Sequence, residues 1–122
     1  MLLDSNIIIY AHKPEYQNIR DFLKNREIAV SAISYIETLG YPQLTTEEKN
    51  FLQRFFRLAI LLPISESVIL TATELRQYRK MSLGDAIIAA TTLVYNKTLV
   101  TRNIKDFNWI EGLILFNPFQ EN

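Results

Sequence analysis

The sequence predicts a three-layer α/β/α sandwich around a mainly parallel sheet, and two observations lead there. Short apolar runs recur along the chain, and each gives way to a stretch with helical spacing. Strands that alternate with helices are joined by crossovers, which pair the strands in parallel and cover both faces of the sheet. No repeat, low-complexity tract or linker interrupts the alternation, and 122 residues lie near the commonest domain size. Residues 1–122 are therefore expected to close one domain.

Met1 to Leu3 is the first apolar run, closed by Asp4-Ser5-Asn6 at a helix start. Ile7 to Tyr10 then leads to Pro14, a favoured first-turn residue for a helix ending near Lys24. Ile28 to Val30 is the second strand, followed by Ser31 and a helix from about Ser34 to Leu39, which Gly40 and Pro42 stop. Thr45 and Thr46 before Glu47 and Glu48 form the capped, acidic start of a helix through Arg57. Phe51, Leu52, Phe55 and Phe56 share one face of it, which core packing explains. Ala59 to Leu62, ended by Pro63, is the third strand, and Ser65 caps a helix carrying Val68, Ala72, Leu75 and Tyr78 or Arg79 at helical spacing. Leu83 to Tyr95 is apolar nearly all round, as a helix buried on most sides must be. Thr98 to Thr101 and Leu113 to Phe116 supply the last two strands.

Composition narrows the chemistry. Thirteen basic and thirteen acidic side chains cancel, so the molecule has no net field to attract a polyanion, and any nucleic-acid contact rests on a local basic patch. The absence of cysteine excludes disulfides, thiolate chemistry and cysteine zinc sites, and one histidine, His12, cannot build a histidine-rich metal site. Oxygen ligands remain, and they suit Mg²⁺ or Mn²⁺. Met1, Leu2 and Leu3 run straight into Asp4 without a basic start and a long apolar stretch, so neither a signal peptide nor a membrane span is expected, and a cytoplasmic location is the default.

Four acids, Asp4, Glu37, Asp85 and Asp106, each follow a short apolar run at a helix start. At the carboxyl edge of a parallel sheet such residues converge, because open α/β folds put their sites there. Each acid also has a plain structural explanation. Asp4 suits an N-cap or Asx turn. Ser34-x-x-Glu37 and Ser82-x-x-Asp85 match the capping box, and Asn103 to Asp106 has the spacing of a short surface cap. Apolar neighbours weigh against isolated caps: Ile33, Tyr35, Ile36 and Leu39 surround Glu37, and Ala86-Ile-Ile-Ala-Ala follows Asp85. Ionised groups against apolar walls need a charged partner. Two carboxylates about 4 Å apart at an effective dielectric near 20 repel by roughly 4 kcal/mol. A divalent ion removes that repulsion and activates water and phosphate.

These strings resemble the PIN-domain ribonucleases and, within them, the VapC-like toxins of toxin–antitoxin pairs. The likeness spans nearly the whole chain: Leu-Leu-Asp4-Ser-Asn, Ser-Ala-Ile-Ser-Tyr-Ile-Glu37, Leu-Gly-Asp85-Ala-Ile-Ile-Ala-Ala-Thr and Leu-Val-Thr101-Arg-Asn-Ile-Lys-Asp106-Phe. The resemblance implies a PIN-like nuclease domain in which Asp4, Glu37 and Asp85 are metal ligands and Asn6 and Thr101 are polar supports. The fourth position falls to Asp106 or Asn103, since many relatives carry an acid straight after Thr-Arg where this chain has Asn103. It further implies hydrolysis of RNA with Mg²⁺ or Mn²⁺, leaving 5′-phosphate and 3′-hydroxyl ends, an antitoxin partner that covers the groove, and a homodimer. Lys13, Arg79, Lys80, Arg102 and Lys105 flank the acids and suit RNA phosphate contacts, with Lys80, Arg102 and Lys105 the principal ones; ordinary solvated surface explains them too. The aromatics Phe51, Phe55, Phe56 and Tyr35 or Tyr41 suit partner contacts or core, and His12 reads as surface filler.

Other readings compete. A receiver-type domain wants a second acid beside the first, but Leu3 and Ser5 flank Asp4. An aspartyl-nucleophile phosphatase wants an aspartate where Asn6 stands. A catalytically silent PIN-fold module that binds RNA or protein stays open as the alternative.

Overall fold

The structure, a computed structural model, describes residues 1–119. Five strands, β1 (Leu2–Leu3), β2 (Ala29–Ser31), β3 (Ile60–Leu62), β4 (Thr98–Val100) and β5 (Ile114–Phe116), form one sheet in the order β3-β2-β1-β4-β5. Every pairing is parallel. The strand order reverses at β1, so the crevice between the ends of β1 and β4 is the topological switch point of the sheet.

Register assigns side chains to the two faces. Leu3 lies opposite Val30 and Val100, and Leu2 opposite Ala29 and Leu99. Because side chains alternate along a strand, these rows point to opposite sides. Leu3, Val30 and Val100 pack with Ile7, Ile8, Ile19, Leu52 and Phe56, from helices α1 (Ser5–His12), α2 (Gln17–Leu23) and α4 (Thr46–Leu58). Leu2, Ala29 and Leu99 pack instead with Ile88, Ala89 and Phe107, from α6 (Leu83–Val94) and α7 (Ile104–Phe107). Helix α5 (Glu66–Tyr78) lies along α6, where Val68, Ala72, Ala86 and Ala90 form a core cluster whose small side chains allow close approach. The predicted three-layer sandwich is the observed fold.

Local chemistry explains the element ends. Thr45 and Glu48 complete a reciprocal capping box at the start of α4: the Glu48 amide donates to Thr45 Oγ1, and the Thr45 amide donates to the Glu48 carboxyl, so that hydrogen bonding at Thr45 holds this carboxyl below its ordinary range. Helix α6 ends in a paired cap: Asn96 takes φ 53°, its amide donates to the Leu93 carbonyl and the Lys97 amide donates to Thr92. The edge strands leave Ile60, Leu61, Ile114 and Phe116 exposed, but each strand is three residues long.

Four expectations need correction. The stretch from Pro14 to Lys24 is not one helix: Pro14–Tyr16 is a 3-10 turn and α2 begins at Gln17. Ile7 to Tyr10, expected only as a lead into Pro14, lies inside α1. The helix expected from about Ser34 is α3 (Ala32–Leu39), which starts directly after β2 with Ser31 as its cap. His12 is half-buried against the Phe51 ring, with centroids 4.7 Å apart, and is not surface filler. Phe56 is core and Phe51 and Phe55 pack against it, whereas Tyr35 and Tyr41 are exposed. Among the described residues no helix is long and apolar enough to cross a membrane.

Candidate active site

Asp4 stands at the mouth of the switch-point crevice. Its amide donates to the Val100 carbonyl at 2.9 Å, continuing the β1–β4 ladder one residue beyond the strand. It occupies the N-cap position of α1 without making a side-chain cap, so the capping explanation does not account for its carboxylate. The side chain turns instead to Thr101, whose Oγ1 donates to Asp4 Oδ2 at 2.8 Å across 97 residues of sequence. Thr101 is fully buried, accepts from the Asn103 amide through the same oxygen, and is tied to β5 by its own amide bond to the Phe116 carbonyl. Asp4 is 5% exposed. Burial, reinforced by the charges of Asp85 and Glu37, pushes its carboxyl up to about 6 against the pull of Thr101 and the Ser5 amide.

Glu37 reaches the same edge from the middle of α3. Ser31, not Ser34, caps that helix, which removes the capping-box explanation for Glu37. Ser34 is buried inside the helix with its Oγ 2.8 Å from Ser5 Oγ, and the Ser5 hydroxyl donates to Glu37 Oε1 at 2.9 Å. The Ser5 hydroxyl thus spans α1 and α3. The expected apolar enclosure of Glu37 is not found, for Glu37, Tyr35 and Ile36 are all exposed.

Asp85 is the third residue of α6 and is half-buried. Ser82 caps the helix by accepting from the Asp85 amide, so half of the predicted capping box is present. Burial, and then the charges of Asp106 and Glu37, raise the Asp85 carboxyl above its ordinary value. Gly84, beside it, explains how α3 and α6 come together: a Cβ built there would fall 2.5 Å from Glu37 Oε2. Asp106 is exposed in α7, behind Asn103 at the N-cap, whose side chain makes no cap bond.

Asp4 therefore feels the charges of Asp85 and Glu37, and Asp85 those of Asp106 and Glu37, and among the described residues no ion pair compensates them. Among those residues the ion pair is Lys24 with Asp21, remote from the crevice in sequence. Lys80, Arg102 and Lys105 are exposed beside the acids in sequence but pair with none of them. The Arg102 guanidinium lies over the rings of Phe119, at 4.3 Å, and Tyr10, at 5.4 Å. Asn6 is exposed, and among the described residues no hydrogen bond joins it to Asp4. Uncompensated hard oxygens match the chemistry of Mg²⁺ or Mn²⁺. In this arrangement, however, no three acids among the described residues meet in a ligand cage.

The PIN domain family model matches residues 1–111. The chain belongs to the PIN domain family. Its likeness to ribonuclease VapC2 of Rickettsia felis is 36% identity over 132 aligned positions, covering 95% of this chain and 96% of the relative. Ribonuclease VapC10 of Mycobacterium tuberculosis is 31% identical over 122 positions, covering 93% of this chain and 90% of that one. Among solved structures, VapBC2 from Rickettsia felis bound to a fragment of its promoter DNA superposes with a TM-score of 0.81 at 29% identity, covering 95% of this chain and 96% of that one. A toxin–antitoxin complex from Klebsiella pneumoniae gives 0.78 at 27% identity, with 98% of each chain covered. This PIN domain closely resembles VapC-family toxins.

The hydroxyls of Ser5, Ser34 and Thr101 give the PIN site its frame. Resemblance offered Thr101 as a support, along with Asn6 but not Ser5, and nothing marked Ser34 except a capping pattern that the fold does not use. Thr101→Val is expected to cost about 1–3 kcal/mol at neutral pH, where the hydroxyl serves an ionised acceptor, and less near pH 4. Thermal melts at the two pH values check this, and an equal cost at both would mean that packing, not the bond to Asp4, is what Thr101 supplies.

Proposed function

We propose that this protein is a divalent-metal-dependent endoribonuclease and the toxin of a toxin–antitoxin pair. What supports the reading is that Ser5, next to Asp4, bonds to Glu37, that Gly84, next to Asp85, packs against the Glu37 carboxylate, and that among the described residues no ion pair neutralises these acids. Asp4, Glu37 and Asp85 would hold Mg²⁺ or Mn²⁺, with Asp106 as the fourth acid. Bound there, the ion supplies a Lewis acid for the phosphoryl oxygen and lowers the pKa of water. Thr101 fixes the orientation of Asp4, and Ser5 that of Glu37. Water attacks phosphorus in line, the bond to the 3′ oxygen breaks, and the products carry 5′-phosphate and 3′-hydroxyl ends. Lys80, Arg102 and Lys105 are proposed to bind RNA phosphates.

Among the described residues the acids do not close a ligand cage, which favours a second reading, a catalytically silent module that binds RNA or protein. Glu37→Gln decides between them. Glutamine keeps an acceptor for Ser5 and disturbs no helix cap, so melting without metal is expected to stay unchanged or rise. Cleavage of a labelled RNA and the Mn²⁺-dependent rise in melting temperature are both expected to disappear, with chelator controls alongside. Cleavage at the wild-type rate would remove Glu37 from the site, and no cleavage by wild-type protein with Mg²⁺ or Mn²⁺ would leave the silent module.

The complexes formed by the relatives support an antitoxin partner. A cleft of about 250 Å³ beside Glu37, lined by Ile9, Thr38, Tyr41, Leu44 and Leu52, suits an apolar segment of such a protein. A homodimer is proposed through the exposed apolar groove of Ile64, Ile69, Leu83 and Ile87 between α5 and α6. Light scattering of the purified chain is expected to give twice the chain mass, and a monomer mass would end that proposal.

A further inference from the structure

We propose that Tyr78 and Trp109 form a stacking platform for an unpaired base of the RNA, a site resting on the nuclease reading but separate from the acids. Their rings are stacked with planes 6° apart and centroids 5.9 Å apart. Tyr78 closes α5 and is 83% exposed, so water meets most of a large aromatic surface that a neighbouring ring already holds in place. Trp109 is anchored from the other side, where its Nε1 donates to the Asp106 carbonyl at 3.0 Å. That bond joins the platform directly to the helix that carries the fourth acid.

Charge around the rings selects the occupant. On one side of Tyr78 lies a cleft formed with Arg76, Arg79 and Lys80. On the other, the cleft shared with Trp109 carries Glu74 and Glu111. The Arg79 guanidinium lies 5.3 Å from the Trp109 ring centroid, so it braces the indole while keeping its charge near the surface. A flat aromatic group flanked by a phosphate on its basic side fits both halves of this arrangement, and a single-stranded nucleotide is such a group. Lys80 is two residues from Ser82, which caps the helix bearing Asp85, so a strand held by Lys80 passes toward the crevice. Inside base-paired RNA each ring face is covered by the neighbouring base pair, and only the ends are free. The platform therefore favours unpaired segments, and because every base has a ring face it adds affinity without reading sequence.

Trp109 is the single tryptophan of the chain, which makes its fluorescence a direct probe. In Asp4→Asn protein, used so that the RNA survives, a mixed-sequence single strand of about 12 nucleotides is expected to quench Trp109. An abasic strand of equal length is expected not to, and a blunt duplex, open only at its ends, much less than the single strand. Tyr78→Ala is expected to weaken binding by about 5- to 150-fold, as loss of one stacked base does. In wild-type protein the same substitution raises KM and leaves kcat little changed, and Tyr78→Phe restores KM. Wild-type KM in Tyr78→Ala, or equal quenching by abasic and ordinary strands, would overturn the platform while leaving the nuclease reading intact. Base-dependent quenching by a protein that never cleaves RNA would do the reverse.

Discussion

Asp4→Asn is expected to abolish RNA cleavage and, in the absence of metal, to make the protein more stable above about pH 6. The loss in rate is put at about 10²–10³-fold, the share of a Lewis acid worth several kcal/mol. The gain in stability follows from burial. The Asp4 carboxyl titrates near 3.8 in an unfolded chain and about 6 in the folded one. A raised folded value favours the native state while the group is protonated, so the contribution is full below the unfolded pKa and is lost as pH rises through about 6. About two pK units correspond to about 3 kcal/mol. Asparagine removes that penalty while still accepting from Thr101. Melting at about pH 8 is therefore expected to rise by roughly 5–10 °C, with little change near pH 4. Mn²⁺ is expected to stabilise the wild type most at high pH, where the carboxylate is free of its proton, and to leave the variant unmoved. A variant that melts lower than wild type at pH 8 would show that Asp4 supports the fold and is not strained for a ligand.

Gly84→Ala is expected to separate activity from stability in the opposite way from most helix substitutions. Alanine is the better helix former by about 1 kcal/mol, and Gly84 has no positive φ to lose. Its new methyl would sit 2.5 Å from Glu37 Oε2 and 3.2 Å from Cδ. The obstruction falls on the far end of a flexible, exposed side chain, so the fold yields by moving the carboxylate. A displacement of about 1 Å at a reacting centre costs up to about 10²-fold in rate. The expected variant melts at or above the wild-type temperature, cleaves about 10- to 100-fold more slowly, and needs more Mn²⁺ for half-maximal stabilisation. Wild-type cleavage would mean that Glu37 acts from another position.

How much of this could be read beforehand depends on the range of the interaction. The sheet was legible because Met1–Leu3, Ile28–Val30 and Thr98–Val100 are apolar runs with clear ends, and burial on both faces needs nothing more. Helix α1 was harder to see: Ile7, Ile8 and Ile9 form a β-branched run within eight residues, too short for a helical period to declare itself. Ser34-x-x-Glu37 has the spacing of a cap, but β2 feeds α3 without a loop, and the cap passes to Ser31 three residues earlier. Asp4 and Thr101 stand 97 residues apart, and Ser5 and Glu37 stand 32 apart. Local patterns cannot register bonds of that span. Resemblance to a family supplied the residues for Asp4 and Thr101, and geometry supplied their relation. The stacked pair of Tyr78 and Trp109 had no such guide, because nothing in the helical spacing of α5 distinguishes an outward tyrosine that waits for a ring from one that merely ends a helix.

Placing the first strand at the centre of the sheet has a bearing on biosynthesis. A ribosome makes Leu2 and Leu3 long before their partners, and one flank of that strand stays bare until Leu99 and Val100 emerge. The carboxylate of Asp4 has no hydroxyl to hold it until Thr101 follows. A chain that stops before the fourth strand lacks the crevice altogether, so Asp4 gains its frame only once Thr101 has been made.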